Sequence, residues 1–344
     1  MSIGDDTVNV TEVSEPALTN AIVKLTRTGE KVVYFIEGHG ERAVDGENGD
    51  ARTGFGLAAD ALRNENYRVE KLLLAATGEV PDDADVVVLA GPRRGLLDVE
   101  YAALERYLAR GGAVLAMVDP RVRGLLVDRL ASWGATLGDD VVIDRTLAMF
   151  GRAMSPFAAS YDSTHEITAD LREPSLFHEV RSVEGDAGFS DLVSTSDSSW
   201  GETDLLLLDT EQKVSPDPGD RLGPVVVAVA GRPTIEVLNG DADGDAGEEE
   251  APADPRLAVY GDADFASNEY ITAYRNRDLF VNTVNWLIGD VEAISVRPNQ
   301  SRASRFQLSN EQFSNIRQLS LFVLPEAIAV LGVFTWWSRR NPTG

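Results

Sequence analysis

Acidic side chains and one histidine follow several predicted strands, at the point where each strand ends. The six residues are Glu37, His39 and Glu41 after Lys31–Ile36, Asp119 after Ala113–Val118, and Asp262 and Asp264 after Arg256–Tyr260. Ligands of open α/β sheets bind outside the carboxyl ends of the strands. We therefore predict a ligand-binding role for these side chains. The alternative is that they are ordinary turn residues, because Asp is common in turns.

Catalytic motifs are missing from the sequence. The chain has no Cys, which excludes thiol nucleophiles, disulfides and Cys-ligated metal sites. No P-loop, G-x-S-x-G or H-E-x-x-H pattern occurs. Residues 54–59 match the dinucleotide pattern G-x-G-x-x-A but stand too far from the preceding strand to form its tight turn. We predict no catalytic residue, no cofactor and no metal site.

Two further segments could bind ions. Asp241–Asp245 resembles the start of a calcium loop, but an EF-hand needs Gly at position six and Glu at position twelve, where this chain has Ala246 and Pro252. Arg93 and Arg94 follow a predicted strand and could hold an anion. A solvated loop is the favoured interpretation of both segments.

The composition is that of an acidic globular protein. The 344 residues are 43% hydrophobic, enough for a buried core, and carry a formal net charge of -25. Nucleic-acid binding depends on clustered Lys and Arg, and no such cluster occurs, so we predict no nucleic-acid partner. The abundance of Asp fits a high-salt habitat, where counterions screen self-repulsion, and also fits a GC-rich genome.

Strands and helices alternate through the first half of the chain. Strands are predicted at 31–36, 68–74, 85–90, 113–118 and 141–144, and helices at 54–64, 98–110 and 124–133. The second of these helices is closed by two glycines, Gly111 and Gly112. This alternation indicates an α/β fold, a doubly wound and mostly parallel sheet with right-handed crossovers.

The second half of the chain is less regular. Short strands are predicted at 179–183, 205–208 and 225–230, a core strand at 256–260, and a helix at Asn276–Ile288. The predicted organisation is an N-terminal segment 1–30 and a soluble α/β domain 31–292, with an irregular insertion over about 145–255. The insertion includes an acidic solvated loop at 241–254. A linker, 293–309, follows.

The C-terminal segment is strongly apolar. Ser309 and Gln312 form a capping box at the start of a predicted helix over 310–338. Residues 319–337 would extend about 28 Å, close to a bilayer core of about 30 Å, with Trp336 and Trp337 at an interface. We predict a single transmembrane span. The alternative is a buried core helix.

An acidic residue interrupts this apolar helix. Glu326 is expected to face protein or water rather than lipid, and Pro325 frees a backbone carbonyl that a neighbouring helix would satisfy. Ala329 and Gly332 are small enough to let another helix approach closely. We therefore predict that Glu326, Ala329 and Gly332 pack against a partner helix in the membrane. The alternative is a protonated Glu326 near the interface.

Several segments resemble one protein family. They are EPALTNAIVKL (Glu15–Leu25), KVVYFIEGHGE (Lys31–Glu41), RLAVYGDADFASN (Arg256–Asn268) and NRDLFVNTVNWLIGD (Asn276–Asp290), with HEIT at 165–168 as a weaker match. Together they resemble auxiliary components of ABC transport systems linked to gliding motility. The resemblance implies a Rossmann-like domain, related to the class I glutamine-amidotransferase fold but without its Cys nucleophile. Relatives usually carry an N-terminal membrane helix and a further small domain, and we expect neither here.

The expected function is that of a non-catalytic accessory subunit. The resemblance implies permease and ATPase partners and a location at the cell membrane, with the soluble domain outside the cytoplasm. One alternative is a module that binds carbohydrate, such as a sugar or peptidoglycan, in a concave cleft. A second alternative is a hydrolase, in which His39 or His165 would lie within hydrogen-bond reach of a Ser or an acid.

Overall fold

The computed structural model describes most of the chain between residues 30 and 290. The described residues are 2–3, 6–7, 30–45, 52–145, 153–211, 215–235, 254–290, 325–326, 329–333 and 336. The chain divides into two compact units, Met1–Pro298 and Asn299–Gly344. The possible calcium loop at 241–245 lies outside the described residues.

The first unit contains fifteen strands and six α-helices within its described segments. The strands are β1 (Ser2–Ile3), β2 (Asp6–Thr7), β3 (Lys31–Ile36), β4 (Tyr67–Leu72), β5 (Val86–Ala90), β6 (Ala113–Met117), β7 (Ala135–Leu137), β8 (Val141–Asp144), β9 (Ser160–Tyr161), β10 (Val183–Gly185), β11 (Phe189–Ser194), β12 (Ser199–Glu202), β13 (Arg221–Leu222), β14 (Val226–Gly231) and β15 (Arg256–Tyr260). The helices are α1 (Gly56–Asn64), α2 (Leu74–Thr77), α3 (Asp98–Ala109), α4 (Leu125–Ser132), α5 (Leu205–Glu211) and α6 (Asn276–Ile288).

A mixed sheet of eight strands forms the centre of the fold. Its order is β4-β3-β5-β6-β15-β14-β11-β9. Neighbouring strands among the first five in this order pair in parallel. Strands β14, β11 and β9 follow, and each pairs antiparallel with the strand before it. The prediction of an α/β fold with a large, mostly parallel central sheet is confirmed. Because β3, β5, β6 and β15 run in parallel, their carboxyl ends meet at one edge of the sheet, which we call the carboxyl edge.

Helices cover both faces of this sheet. One apolar cluster joins β3, β5 and β6 side chains to α1 and α6, and a second joins the alternate side chains of the same strands to α2, α3 and α4. Strands β5 and β6 are buried along their whole length, as their uninterrupted apolar sequences require. The burial on both faces fixes the register of each strand, because a slip of one residue would exchange the two sets of side chains.

Two predictions for the middle of the chain are wrong. Residues 205–208 form the start of helix α5 rather than a strand, because Leu is a good helix former and the Asp204 carboxylate accepts the Leu207 N–H at 2.9 Å as an N-cap. The predicted strand 179–183 is displaced to β10, because Glu179 has φ 52 and interrupts the extended backbone. The predicted strand 225–230 is confirmed as β14.

The strands of the 145–255 region do not form a separate layer. Strands β9, β11 and β14 extend the central sheet, while β12 pairs with β8 and β13 in a small three-stranded sheet. Leu208 of α5 packs with Trp200, Val141 and Ile143 in a satellite apolar cluster beside this small sheet. The region is therefore built partly into the main sheet.

The predicted transmembrane span, 319–337, lies mostly outside the described residues. No helix in the described part of the chain combines the length and apolar character needed to cross a bilayer. In the second unit, Glu326, Ala329 and Gly332 are helical and exposed, and a Cβ built on Gly332 meets no atom within 4 Å. Their predicted role in helix packing stays a prediction.

The buried Asn276 side chain joins three segments at the start of α6. Its Oδ1 accepts the Leu176 N–H at 2.8 Å, and its Nδ2 donates to the Leu176 and Phe265 carbonyls at 2.8 and 2.9 Å. By comparison, the buried Asn282 on the same helix donates to the Ile167 carbonyl at 3.0 Å, and its Oδ1 has no partner within the described part of the chain. Asn276 therefore satisfies three backbone groups, whereas Asn282 satisfies one.

We predict that Asn276→Ala lowers the free energy of unfolding by about 3 kcal/mol or more, because three buried backbone groups lose their partner. Asn282→Ala is the matched control and should cost about 1 kcal/mol, since it breaks one bond and removes an unsatisfied oxygen. Urea denaturation of both variants measures the difference. Equal losses for the two variants would contradict the role given to Asn276.

Candidate functional site

The six predicted site residues all lie at the carboxyl edge, but they do not form one cluster. Asp119, Asp262 and Asp264 gather around Arg42, whereas Glu41 and Glu100 gather around His39. Glu37 belongs to neither cluster and forms an ion pair with Lys71 at 3.1 Å. The structure therefore divides the edge into an Arg42 cluster and a His39 cluster.

Arg42 holds two carboxylates from different strands. Its Nη2 lies 2.9 Å from Asp119 Oδ2 and 2.6 Å from Asp264 Oδ1, and its side chain is only 9% exposed. The second oxygen of Asp119 accepts the Ala263 N–H at 2.7 Å. One guanidinium thus links the loop after β3 to the ends of β6 and β15.

Gly91, at the end of β5, leaves room for this guanidinium. It has φ +64, and a Cβ built on it would lie 3.1 Å from Arg42 Nε and 3.0 Å from the Ala263 Cβ. Arg42 Nε itself has no hydrogen-bond partner among the described residues, because it faces this glycine. Only glycine combines the left-handed backbone with the missing side chain at this position.

Asp262 is the most deeply buried acid of the Arg42 cluster. Its two oxygens accept the backbone N–H groups of His178, at 2.9 Å, and Asp264. Burial raises the pKa of Asp262 well above its usual range, and the nearby charges of Asp264 and Asp119 raise it further. Burial also raises the pKa of Asp264, although Arg42 acts in the opposite direction. A carboxyl with a raised pKa lowers the stability of the fold as the pH rises through that pKa.

His39 bridges two carboxylates in the second cluster. Its Nδ1 lies 3.0 Å from Glu41 Oε1, its Nε2 lies 2.8 Å from Glu100 Oε2, and its backbone N–H donates to Glu41 Oε2 at 2.7 Å. Both ring nitrogens can donate together only in the protonated imidazolium form. Glu100 also accepts the Leu97 N–H at 2.7 Å and so completes one half of a capping box at the start of α3.

The His39 cluster meets the geometric criterion that we set for a hydrolase, a histidine within reach of an acid. However, both ring nitrogens are occupied by carboxylates, so neither is available to take a proton from a nucleophile. Glu100 is fully buried and its Oε1 has no partner among the described residues. This arrangement ties the loop after β3 to α3.

The other two histidines occupy different environments. His165 packs against Trp286 with ring centroids 5.1 Å apart, and burial lowers its pKa. His178 Nδ1 lies 2.9 Å from Ser155 Oγ, and its ring stacks on Tyr270. Among the described residues, no carboxylate forms an ion pair with the His178 ring, so the Ser155–His178 pair lacks the acid that orients the base of a catalytic triad.

Sequence reasoning missed the residues that organise the two clusters. Arg42 directly follows Glu41, and it could have been found by asking which cation balances several acids at one sheet edge. Glu100 stands three residues after Leu97, the spacing of a capping box, although Leu97 gives no sign of a cap. His178 lies in a segment without a regular pattern and offered no signal.

A cavity of about 210 Å³ opens elsewhere, beside β9. Its lining includes Tyr161, Thr168, Arg172 and Glu173 and none of the carboxyl-edge side chains. Within the described segments, no group of three or more His, Asp or Glu side chains is arranged to hold a metal ion.

Comparison with known proteins identifies the family. The model of one family, described as an ABC-type uncharacterized transport system, matches residues 30–283, which span the central sheet from β3 into α6. The chain belongs to this ABC transport auxiliary family. The suspected relationship is thus confirmed. No curated protein has a significantly similar sequence.

Solved structures resemble this ABC transport auxiliary protein at low sequence identity. The N-terminal domain of mmIFT52 has a TM-score of 0.53 and 18% identity, covering 74% of this chain and 97% of that domain. A ThuA-like protein from Bacteroides uniformis ATCC 8492 has a TM-score of 0.42 and 12% identity, covering 75% of this chain and 91% of that one. The cytoplasmic protein STM3548 from Salmonella typhimurium also has a TM-score of 0.42 and 12% identity, with coverages of 74% and 98%. The first similarity shows a shared fold.

We predict that Arg42→Met lowers the free energy of unfolding by about 3 kcal/mol near neutral pH, because two partly buried carboxylates lose their cation. The matched control is Arg52→Met, which breaks the exposed pair with Glu269 and should cost about 1 kcal/mol or less. Adding Asp119→Asn and Asp264→Asn to the first variant should recover part of the loss. Chemical denaturation measures all three, and equal losses for the two single variants would refute the role of Arg42.

Proposed function

We propose that this ABC transport auxiliary protein is a non-catalytic subunit that assembles with the permease and ATPase of a transporter, in a system linked to gliding motility. The observation that carries the proposal is the family match across residues 30–283. The fold, in this proposal, derives from the class I glutamine-amidotransferase fold without its Cys nucleophile. The chain has no Cys, which fits this origin.

The geometry of the carboxyl edge supports a non-catalytic role. A catalytic acid or base needs a free lone pair or proton that can reach a substrate. Asp119 is occupied by Arg42 and a backbone N–H, Asp262 accepts two backbone N–H groups, and His39 is held between two carboxylates. These side chains stabilise the loops rather than present reactive atoms.

A carbohydrate-binding module is the second candidate function. The cavity beside β9 favours it, because it combines an aromatic ring, Tyr161, with the charged side chains of Arg172 and Glu173. The candidate ranks second because the volume of about 210 Å³ is below the range of about 300–1,000 Å³ that is usual for ligand pockets.

Affinity purification tests the proposed assembly. We predict that the tagged full-length chain, expressed with the permease and the P-loop ATPase of its own transport system, recovers both subunits in mild detergent. The control is an unrelated single-span membrane protein with the same tag. Recovery of neither subunit, with all three proteins well expressed, would show that the chain is not a subunit of that transporter.

We further propose that residues 319–337 anchor the chain in the membrane, with the soluble domain outside the cytoplasm. Deletion of residues 318–344 should move the protein from the membrane to the soluble fraction, because it removes the apolar segment. Cell fractionation followed by immunoblotting measures the shift. An intact chain that is already soluble without detergent would contradict the anchor.

A further inference from the structure

The loop after β5 carries exposed side chains with no described role in the fold. Arg93 and Arg94 are exposed, and neither guanidinium has an ion-pair partner among the described residues. Leu97 and Val99 follow at 56% and 60% exposure. Leu73 directly follows β4 and is 50% exposed. Its side chain lies beside Gly38, and the Arg93 side chain lies beside Gly40, so the 38–40 turn separates the two. We call Leu73 together with the exposed residues 93–95 and 97–99 the β5-loop surface.

The backbone of this loop is held firmly in place. The N–H groups of Arg93 and Arg94 both donate to the His39 carbonyl, at 2.9 and 3.0 Å. The Leu97 N–H donates to the buried Glu100 carboxylate at 2.7 Å. The His39 cluster therefore fixes the loop at both ends. A surface that is already ordered loses little conformational entropy when a partner binds.

The fold itself gains little from the exposed side chains. Leu73 and Leu97 occupy the N-cap positions of α2 and α3, where Ser, Thr, Asp or Asn would stabilise a helix by about 1 kcal/mol. Burying Glu100 with an unpartnered oxygen also costs stability. A role in binding accounts for the two leucines, because a partner would cover them.

The charge of the surface is opposite to that of the whole chain. Arg93 and Arg94 contribute two positive charges, against one from the exposed Asp98, in a protein of net charge -25. Arg172 contacts a backbone carbonyl, and Arg145 lies over the ring of Trp200. Because screening confines charge effects to about 8 Å at physiological salt, the local charge decides what binds here.

We propose that the β5-loop surface docks an acidic amphipathic segment of the transporter permease. The two guanidiniums would pair with its carboxylates, and Leu73, Leu97 and Val99 would cover its apolar face. This inference rests on the proposed function and names the partner contact. An anionic lipid surface fits less well, because two arginines near it would contribute only about 1 kcal/mol each.

The first test measures permease recovery by the full-length chain. Arg93→Glu with Arg94→Glu should reduce recovery about tenfold or more, because two attractive contacts become repulsive. Raising the salt concentration should weaken the wild-type complex and strengthen the residual binding of this variant. The matched control, Arg63→Glu with Arg123→Glu, changes two other exposed arginines and should alter recovery by about twofold or less.

The second test separates docking from folding. Leu97→Ser places a favoured N-cap residue at the start of α3, so thermal stability should hold or rise. Permease recovery should nevertheless fall, since the apolar contact is lost. The control is Leu222→Ser, which changes an exposed leucine of the small three-stranded sheet and should leave recovery unchanged. Unchanged recovery with Leu97→Ser and with the Arg93/Arg94 variant would overturn the inference while the proposed function stands.

A photo-crosslinking amino acid at position 97 identifies the partner directly. The expected product joins this position to an acidic amphipathic peptide of the permease, while the same probe at position 222 gives no such product. Crosslinks only to a second copy of the chain, only to lipid, or to nothing would overturn the inference. If wild-type chain recovers neither transporter subunit, the proposed function and the inference both fail.

Discussion

The ion pairs of Arg42 are the interaction on which the carboxyl edge depends. A single guanidinium lies between carboxylates that come from the ends of β6 and β15, while its own loop follows β3. Burying a cation costs several kcal/mol unless carboxylates with good geometry compensate it. The loop after β3 can therefore take this position only when the other two strand ends are correctly placed. The edge is consequently assembled as one unit, with Gly91 supplying the space between the strands.

The His39 cluster extends this dependence to the next loop along the sheet. His39 and Arg42 stand three residues apart in one turn, so the same short segment is held on one side by Asp119 and Asp264 and on the other by Glu100. The His39 carbonyl in turn receives the backbone of the loop after β5. Polar groups for which the sequence predicts a ligand-binding role also order loops here. Because these loops are ordered, the backbone that carries the exposed side chains of the loop after β5 has a fixed arrangement.

The sequence predicts the strands and helices whose patterns are local. Strands β3 and β15 and helix α6 begin and end at the predicted residues, and β5 and β6 each differ from the prediction by one residue at one end. These elements are predicted well because buried strands and a capped amphipathic helix carry their signal in neighbouring residues. The convergence of Asp119, Asp262 and Asp264 also follows from the sequence, since parallel strands end at one edge. The α5 helix was missed because four leucines fit a strand or a helix equally, and the Asp204 cap decides between them. The partners of Arg42 and Glu100 depend on residues far away in sequence, which no local pattern contains.

Because acidic residues outnumber basic residues in this chain, an arginine without an ion-pair partner is unexpected. With 56 Asp and Glu against 31 Lys and Arg, an exposed guanidinium has many carboxylates available, and described arginines as far apart as Arg68, Arg121 and Arg275 are paired. An exposed ion pair changes the free energy of folding by only about 0–1 kcal/mol, so a surface arginine can pair without a large energetic cost. Neither Arg93 nor Arg94 has such a partner among the described residues, and the backbone N–H groups of both are held by the His39 carbonyl. The hydrogen bonds that order this loop therefore place two unpaired guanidiniums beside exposed apolar side chains, on a protein with a large excess of acid.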